Sequence, residues 1–212
     1  HHQRGTTALA LRVVRSDVPE LSDLNLPETI ARLTRLPRGL VLVTGDTGSG
    51  KSTTLAAMIM AMNRRSRQHI ITLEDPVEYR LHSDQCLIEQ RELGSDMPSF
   101  ASGLKHALRQ DPDIIFVGEM RDQETFEAAL HAAETGHLVY GTIHASSTTQ
   151  TFSRIYGLFP QEEVEQVRVR VAPVAVLVEE VGPRQRVVQV VAVARRRVVG
   201  PQVRERRVGV QP

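Results

Sequence analysis

Eight consecutive residues, Gly45-Asp46-Thr47-Gly48-Ser49-Gly50-Lys51-Ser52, fit the phosphate-loop pattern G-x-x-x-x-G-K-[S/T]. Small residues let the backbone wrap tightly, so successive N–H groups and a helix N-terminus can face a triphosphate. On this reading Gly45, Thr47, Gly48, Ser49 and Gly50 form the cradle, with Thr53 beside it. The Lys51 ammonium reaches the β/γ-phosphates and the Ser52 hydroxyl holds Mg²⁺. Lys51 is also unusual in this chain, which has one other lysine, Lys105, and uses arginine for its remaining fixed cations. The pattern predicts binding of ATP or GTP.

Three further groups have chemistry to offer. In Ile71-Thr72-Leu73-Glu74-Asp75-Pro76-Val77-Glu78 an apolar run ends in acids, and carboxylates at such a strand end can order Mg²⁺ and an attacking water. In Asp113-Ile114-Ile115-Phe116-Val117-Gly118-Glu119-Met120-Arg121-Asp122 four apolar residues lead to Glu119, as in a Walker B strand. Gly118 stands where an aspartate usually holds the metal, so Glu119 is expected to orient or deprotonate water rather than ligate. His137 and His144 flank the run Leu138 to Ile143. Either imidazole could be a structural hydrogen-bonding residue, or one could sense a γ-phosphate. No third ligand stands at a spacing that would make the pair a metal site.

The elements that must carry these groups alternate in period. Apolar strands are expected at 40–44, 69–73, 113–117 and 138–143, and amphipathic helices at 51–64, 98–109 and 123–135. Asp122 is the expected N-cap of the last helix, and Gly136 stands where a left-handed C-cap belongs. Such alternation predicts an α/β fold with a mostly parallel sheet over 39–168. Before it, residues 8–14 read as a short strand and 21–38 as a linker with a helix after Leu26-Pro27-Glu28. Residues 1–20 read as the end of a preceding domain, and His1-His2-Gln3-Arg4-Gly5 as a tag remnant or a cut into a longer protein. From 169 to 212 about 25 of the 44 residues are Val or Arg, a biased composition. Its origin is expected to be a shifted reading frame in a GC-rich gene, although a basic tail for acidic partners is the other reading. Runs such as Val187 to Val191 could form strands.

With 212 residues the chain can bury a full core. Its net charge of +1 gives no electrostatic case for a nucleic-acid partner. The single cysteine, Cys86, excludes an intrachain disulfide and a cysteine-based zinc site, and fits a reducing compartment. No apolar stretch approaches the roughly 18–20 residues that span a bilayer, so no transmembrane segment is expected.

Taken together, Pro37 to Thr44, the phosphate loop, Ser52 to Ile59, Glu74-Asp75-Pro76-Val77-Glu78, Gly118 to Asp122 and Thr135 to His144 resemble the secretion and pilus ATPase superfamily. The acidic stretch resembles its Asp box, the Gly118 strand end its Walker B motif, and the last segment its His box. Gln90-Arg91-Glu92 and Ala107 to Asp113 resemble its connecting segments. Within the superfamily the retraction branch, which drives twitching motility, is most similar over roughly 8–168, including Phe159 to Glu163. The resemblance implies a RecA-like core hydrolysing ATP with Mg²⁺. It further implies a homo-hexamer when full length, cytoplasmic and peripheral to the inner membrane, acting on a pilus platform protein. It makes Glu119 the catalytic glutamate and Glu74 a second essential acid. Asp75, Glu78, His137 and His144 become auxiliary, and Arg91 and Arg121 candidates for bridging nucleotide and neighbouring subunit. Two alternatives remain open: a pilus-assembly or type II secretion ATPase, whose branch usually carries a four-cysteine zinc module, and a nucleotide-binding remnant without turnover.

Overall fold

A computed structural model describes residues 2–3, 5–7, 17–171, 175–182 and 186–193. For the strands at 2–3, 6–7, 175–182 and 186–193 the description is of backbone path and pairing. In chain order the elements begin with β1 (His2–Gln3), β2 (Thr6–Thr7) and α1 (Glu28–Leu33). The central part comprises β3 (Gly39–Thr44), α2 (Lys51–Asn63), β4 (His69–Glu74), β5 (Leu87–Glu92), α3 (Phe100–Ala107) and β6 (Ile114–Val117). Then follow α4 (Gln123–Thr135), β7 (Leu138–Ile143), α5 (Thr148–Tyr156), α6 (Val164–Val171), β8 (Ala175–Gly182) and β9 (Arg186–Val193).

Seven strands form one sheet in the order β5-β4-β6-β7-β3-β9-β8. The first five run parallel, with β3 and β7 in register from Gly39 opposite Leu138 to Thr44 opposite Ile143. All their C-terminal ends therefore lie along one edge, where ligands bind in open parallel sheets. Every residue of β3, β6 and β7 is buried, because helices cover both faces. That double burial is why these strands read as unbroken apolar runs rather than alternating ones.

Successive side chains of a strand divide between the two faces. Leu40, Leu42, Ile71, Leu73, Ile115, Val117 and Val139 join Leu104 of α3, Phe126 and Leu130 of α4, Ile155 of α5 and Val167 and Val171 of α6. Val41, Val43, Ile70, Ile114, Phe116 and Tyr140 join Ile30 and Leu33 of α1 and Leu55, Met58, Ile59 and Met62 of α2. The Tyr140 hydroxyl donates to the Leu33 carbonyl oxygen at 3.1 Å, which ties the linker helix to the sheet.

The expected caps of α4 are present. The Asp122 carboxylate accepts from the Thr125 N–H at 2.8 Å, and Gly136 terminates the helix at φ 122°. The helix expected at 98–109 is shorter, because Ser99 caps it and Leu108–Gln110 tighten into a 3₁₀ turn ending at Asp111, φ 53°. β5, α5 and α6 were not anticipated from periodicity. Across the expected boundary at 168, α6 continues to Val171, which is buried in the core. In the Val/Arg-rich segment the backbone forms the hairpin β8–β9, and β9 pairs antiparallel with β3. Part of that segment thus extends the sheet, as the Val187 to Val191 run allowed. The strand expected at 8–14 lies outside the described residues.

Candidate functional site

Between the end of β3 at Thr44 and the start of α2 at Lys51 the chain turns through Gly48 and Gly50, at φ 78° and 106°. A side chain at either angle would be strained, so the spacing of glycines is a backbone requirement. The Ser49 N–H donates to the Asp46 carbonyl oxygen at 3.1 Å, and the Thr54 N–H to that of Gly50 at 2.8 Å, starting the helix. Lys51 is buried, and its Nζ donates to the carbonyl oxygens of Gly45 at 2.9 Å and Asp46 at 3.0 Å. Nδ1 of His144 stands 3.4 Å from the same Nζ. Burial pushes the ammonium below the ordinary lysine range, only partly opposed by the charges of Glu119, Asp46 and Glu78. The Ser49 hydroxyl is buried without a hydrogen-bond partner.

The two acids meet at neighbouring strand ends but in opposite environments. Glu74 closes β4 and is 8 % exposed. Its Oε1 accepts from the Thr72 hydroxyl at 2.6 Å and from the Gln90 amide at 2.9 Å. Burial dominates and raises its pKa, although these hydrogen bonds work the other way. Glu119 follows β6. Its Oε2 lies 2.5 Å from Nη2 of Arg121, and its Oε1 lies 3.4 Å from Nε2 of His144. Burial acts to raise Glu119 as well, but the Arg121 hydrogen bond and the charges of His144, Arg121 and Lys51 outweigh it, leaving the carboxyl below its ordinary range. Two carboxyl groups pushed apart in this way can divide labour in one site.

Gly118 has a steric reason. Its N–H donates to the Leu73 carbonyl oxygen at 2.7 Å, and a Cβ there would stand 3.1 Å from that oxygen and 3.3 Å from Glu74 Cα. The end of β6 presses on the end of β4, so an aspartate in place of Gly118 would push the two acids apart.

A cavity of about 620 Å³ collects most of the expected residues. Thr47, Gly48, Gly50, Lys51, Ser52 and Thr53 line it from the loop, and Glu74, Asp75, Glu78, Glu119, Arg121 and His144 from the strand ends. Gly45 and Ser49 shape the loop without lining the cavity. Two expected residues lie elsewhere. His137 precedes β7 at the opposite edge of the sheet, where its Nδ1 is 3.1 Å from the Ala132 carbonyl oxygen and its N–H donates to that same oxygen. It belongs to the C-terminal cap of α4, not to the pocket. Arg91 points away from the pocket, and its Nη2 contacts Glu89 at 2.9 Å and Gln110 at 2.6 Å. Two residues were missed. The Tyr79 hydroxyl is 2.9 Å from that of Thr53, and Gln90 holds Glu74. Once Leu87–Glu92 is seen to be a strand, period-two alternation puts Gln90 on the face opposite Arg91.

The hydroxyl of Ser52 offers the kind of hard oxygen donor that Mg²⁺ prefers. Among the described residues no three acids, histidines or cysteines cluster tightly enough to hold a metal by themselves. No helix among the described residues is long and apolar enough to cross a membrane.

Known proteins share sequence and fold with this chain. YggR of Escherichia coli (strain K12), an uncharacterized protein, is 51 % identical over 170 residues, covering 80 % of this chain and 52 % of its own length. The type IV pilus retraction ATPase PilT of Pseudomonas aeruginosa is 51 % identical over 168 residues, covering 79 % and 48 %. The crystal structure of the pilus retraction motor PilT with bound ADP superposes with a TM-score of 0.79 at 49 % identity, over 84 % of this chain and 52 % of that one. The chain thus spans about half the length of the curated relatives it matches. A profile of the type II/IV secretion system proteins matches residues 5–206, a range that includes the Val/Arg-rich hairpin. The profile match over most of the chain, with the parallel-sheet core superposing on that of PilT, leads to one conclusion: the chain belongs to the type II/IV secretion system protein family.

Proposed function

We propose that this chain binds ATP with Mg²⁺ and hydrolyses it as the nucleotide-handling part of a pilus retraction motor. The observation that carries the reading is the convergence of the phosphate loop, Glu74 and Glu119 on one cavity. The backbone from Gly45 to Thr53 receives the phosphates, and Lys51 exchanges its two carbonyl partners for β/γ-phosphate oxygens. Ser52 holds Mg²⁺, which neutralises charge on the phosphates when bound. Glu119, kept ionised by Arg121 and His144, orients the attacking water and takes its proton. Glu74, more readily protonated, is the second acid, and Asp75 and Glu78 add negative potential at the mouth. His137 and Arg91 are left out of this assignment.

At the level of the whole protein, self-association into a hexameric ring, a cytoplasmic position beside the inner membrane and action on a membrane platform protein belong to the same proposal. The PilT likeness supports them. ATP titration of the 212-residue chain, followed by turnover measurements on the protein extended to the length of its relatives, tests the reading. Mg²⁺-dependent binding and hydrolysis are expected. A chain that folds and binds no nucleotide would overturn it.

A further inference from the structure

We propose that Gln90 is the positioning residue of this site, with one carboxamide on β5 fixing both the Glu74 carboxylate and the acidic segment that follows it. The inference rests on the reading of Glu74 as an acid of the nucleotide site. The Gln90 Nε2 donates to Glu74 Oε1 and to the Tyr79 carbonyl oxygen, both at 2.9 Å. Its Oε1 accepts from the Leu81 N–H at 2.8 Å. Both amide protons and the oxygen are therefore used, each on a different group. Two residues along the same face of β5, Glu92 Oε2 accepts from the Val77 N–H at 3.0 Å. Gln90 and Glu92 together fasten the segment from Val77 to Leu81 against β5. Its Tyr79 hydroxyl reaches Thr53 in the first turn of α2 at 2.9 Å. A contiguous path thus runs from the edge strand through Gln90 to Glu74 on one side and to the phosphate-loop helix on the other.

The choice of an amide has a chemical logic. Glu74 is buried, which disfavours its charge, and it needs donors that persist at every pH. A glutamine side chain does not titrate and always presents two N–H groups. A glutamate at 90 would keep the size and the acceptor for Leu81 but offer no standing donor, and would set a like charge beside Glu74. A leucine would keep bulk and remove all three hydrogen bonds. Arg91 and Glu89, on the opposite face, pair with each other and do not share this task.

The test uses Gln90→Leu and Gln90→Glu in the full chain, with the Glu74 carboxyl carbon followed by NMR titration and assigned through Glu74→Gln. Both variants are expected to titrate Glu74 at higher pH than the parent, while Glu119 is unmoved. In the protein extended to its relatives' length, kcat for ATP should fall roughly tenfold to a hundredfold with KM little changed, as for a misplaced catalytic group. A Glu74 midpoint equal to the parent's in folded Gln90→Glu or Gln90→Leu would overturn the proposal, as would a kcat within about twofold of the parent's. If the parent itself fails to hydrolyse ATP, the proposed function falls, and the NMR titration still decides whether Gln90 holds Glu74.

Discussion

His137 and His144 bracket one strand, and its two ends sit in different chemical settings. At the C-terminal end His144 lies between Lys51 Nζ and the Glu119 carboxylate, at 3.4 Å from each. At the N-terminal end His137 turns back on the last turn of α4. Residue type is the same, and so is the apolar strand between them. What differs is the edge of the sheet. At the C-terminal edge the phosphate loop and the ends of β4 and β6 leave a gap, and polar groups there face a cavity. At the other edge α4 must stop, and its carbonyl groups need donors. In a parallel sheet the direction of the strand assigns the work before the side chain does.

The sharpest way to break this comparison is at Glu119. Glu119→Gln preserves size and hydrogen bonding but cannot take a proton from water, so turnover in the extended protein should fall about 10²–10⁴-fold with ATP affinity retained. Turnover surviving within about twofold, while Glu74→Gln abolishes it, would mean that the two acids have exchanged roles.

Lys51→Ala comes next. A hydrogen bond to a charged group is worth about 1.5–3 kcal/mol, so ATP affinity should drop at least about tenfold in a fluorescent-nucleotide titration. The lower end of that range is expected, because Lys51 already has carbonyl partners from Gly45 and Asp46 that it must give up. Unchanged affinity would remove the phosphate-loop assignment.

A smaller effect should appear at Arg121, whose side chain is 64 % exposed and therefore screened. Its hydrogen bond helps hold Glu119 below the ordinary carboxyl range. A general base works deprotonated, so a lowered pKa extends activity towards acid. Arg121→Ala removes that pull, and the acid limb of the kcat/KM profile should move up in pH, with the rate at neutral pH changed by less than about tenfold. An acid limb moved down, or not at all, would show that Arg121 does not govern Glu119.

Much of this edge was readable from residue order because its requirements are local. The phosphate loop is contiguous, its glycines answer to backbone angles, and β3, β6 and β7 are covered on both faces and so read as plain apolar runs. β5 was not readable in that way. It is an edge strand in which Glu89 and Arg91 pair on one face while Gln90 and Glu92 serve the site on the other, so both faces are polar and alternation is masked. Arg91 was singled out by family resemblance, which does not report the face of β5 on which it stands. α5 begins in Ser146-Ser147-Thr148-Thr149, which reads as loop until Ser147 is seen capping the Gln150 N–H. In the Val/Arg-rich stretch, bias in composition obscured a hairpin that depends on β3, more than a hundred residues earlier, and no local pattern reports a partner that distant.

The smallest expected effect separates the two histidines directly. His137→Ala should cost about 0.5–1.5 kcal/mol of stability, the worth of an ordinary hydrogen bond, because the carbonyl group of Ala132 keeps the backbone N–H of residue 137 as a donor. ATP affinity should not change. His144→Ala should do the converse: little loss in urea midpoint, since the ring is partly exposed, and a several-fold fall in turnover as Glu119 loses one of the groups that hold it. The pair is informative as a cross. If His137→Ala weakened ATP binding as much as His144→Ala slowed hydrolysis, the N-terminal edge would be coupled to the pocket through β7. The division of labour between the two edges would then be wrong.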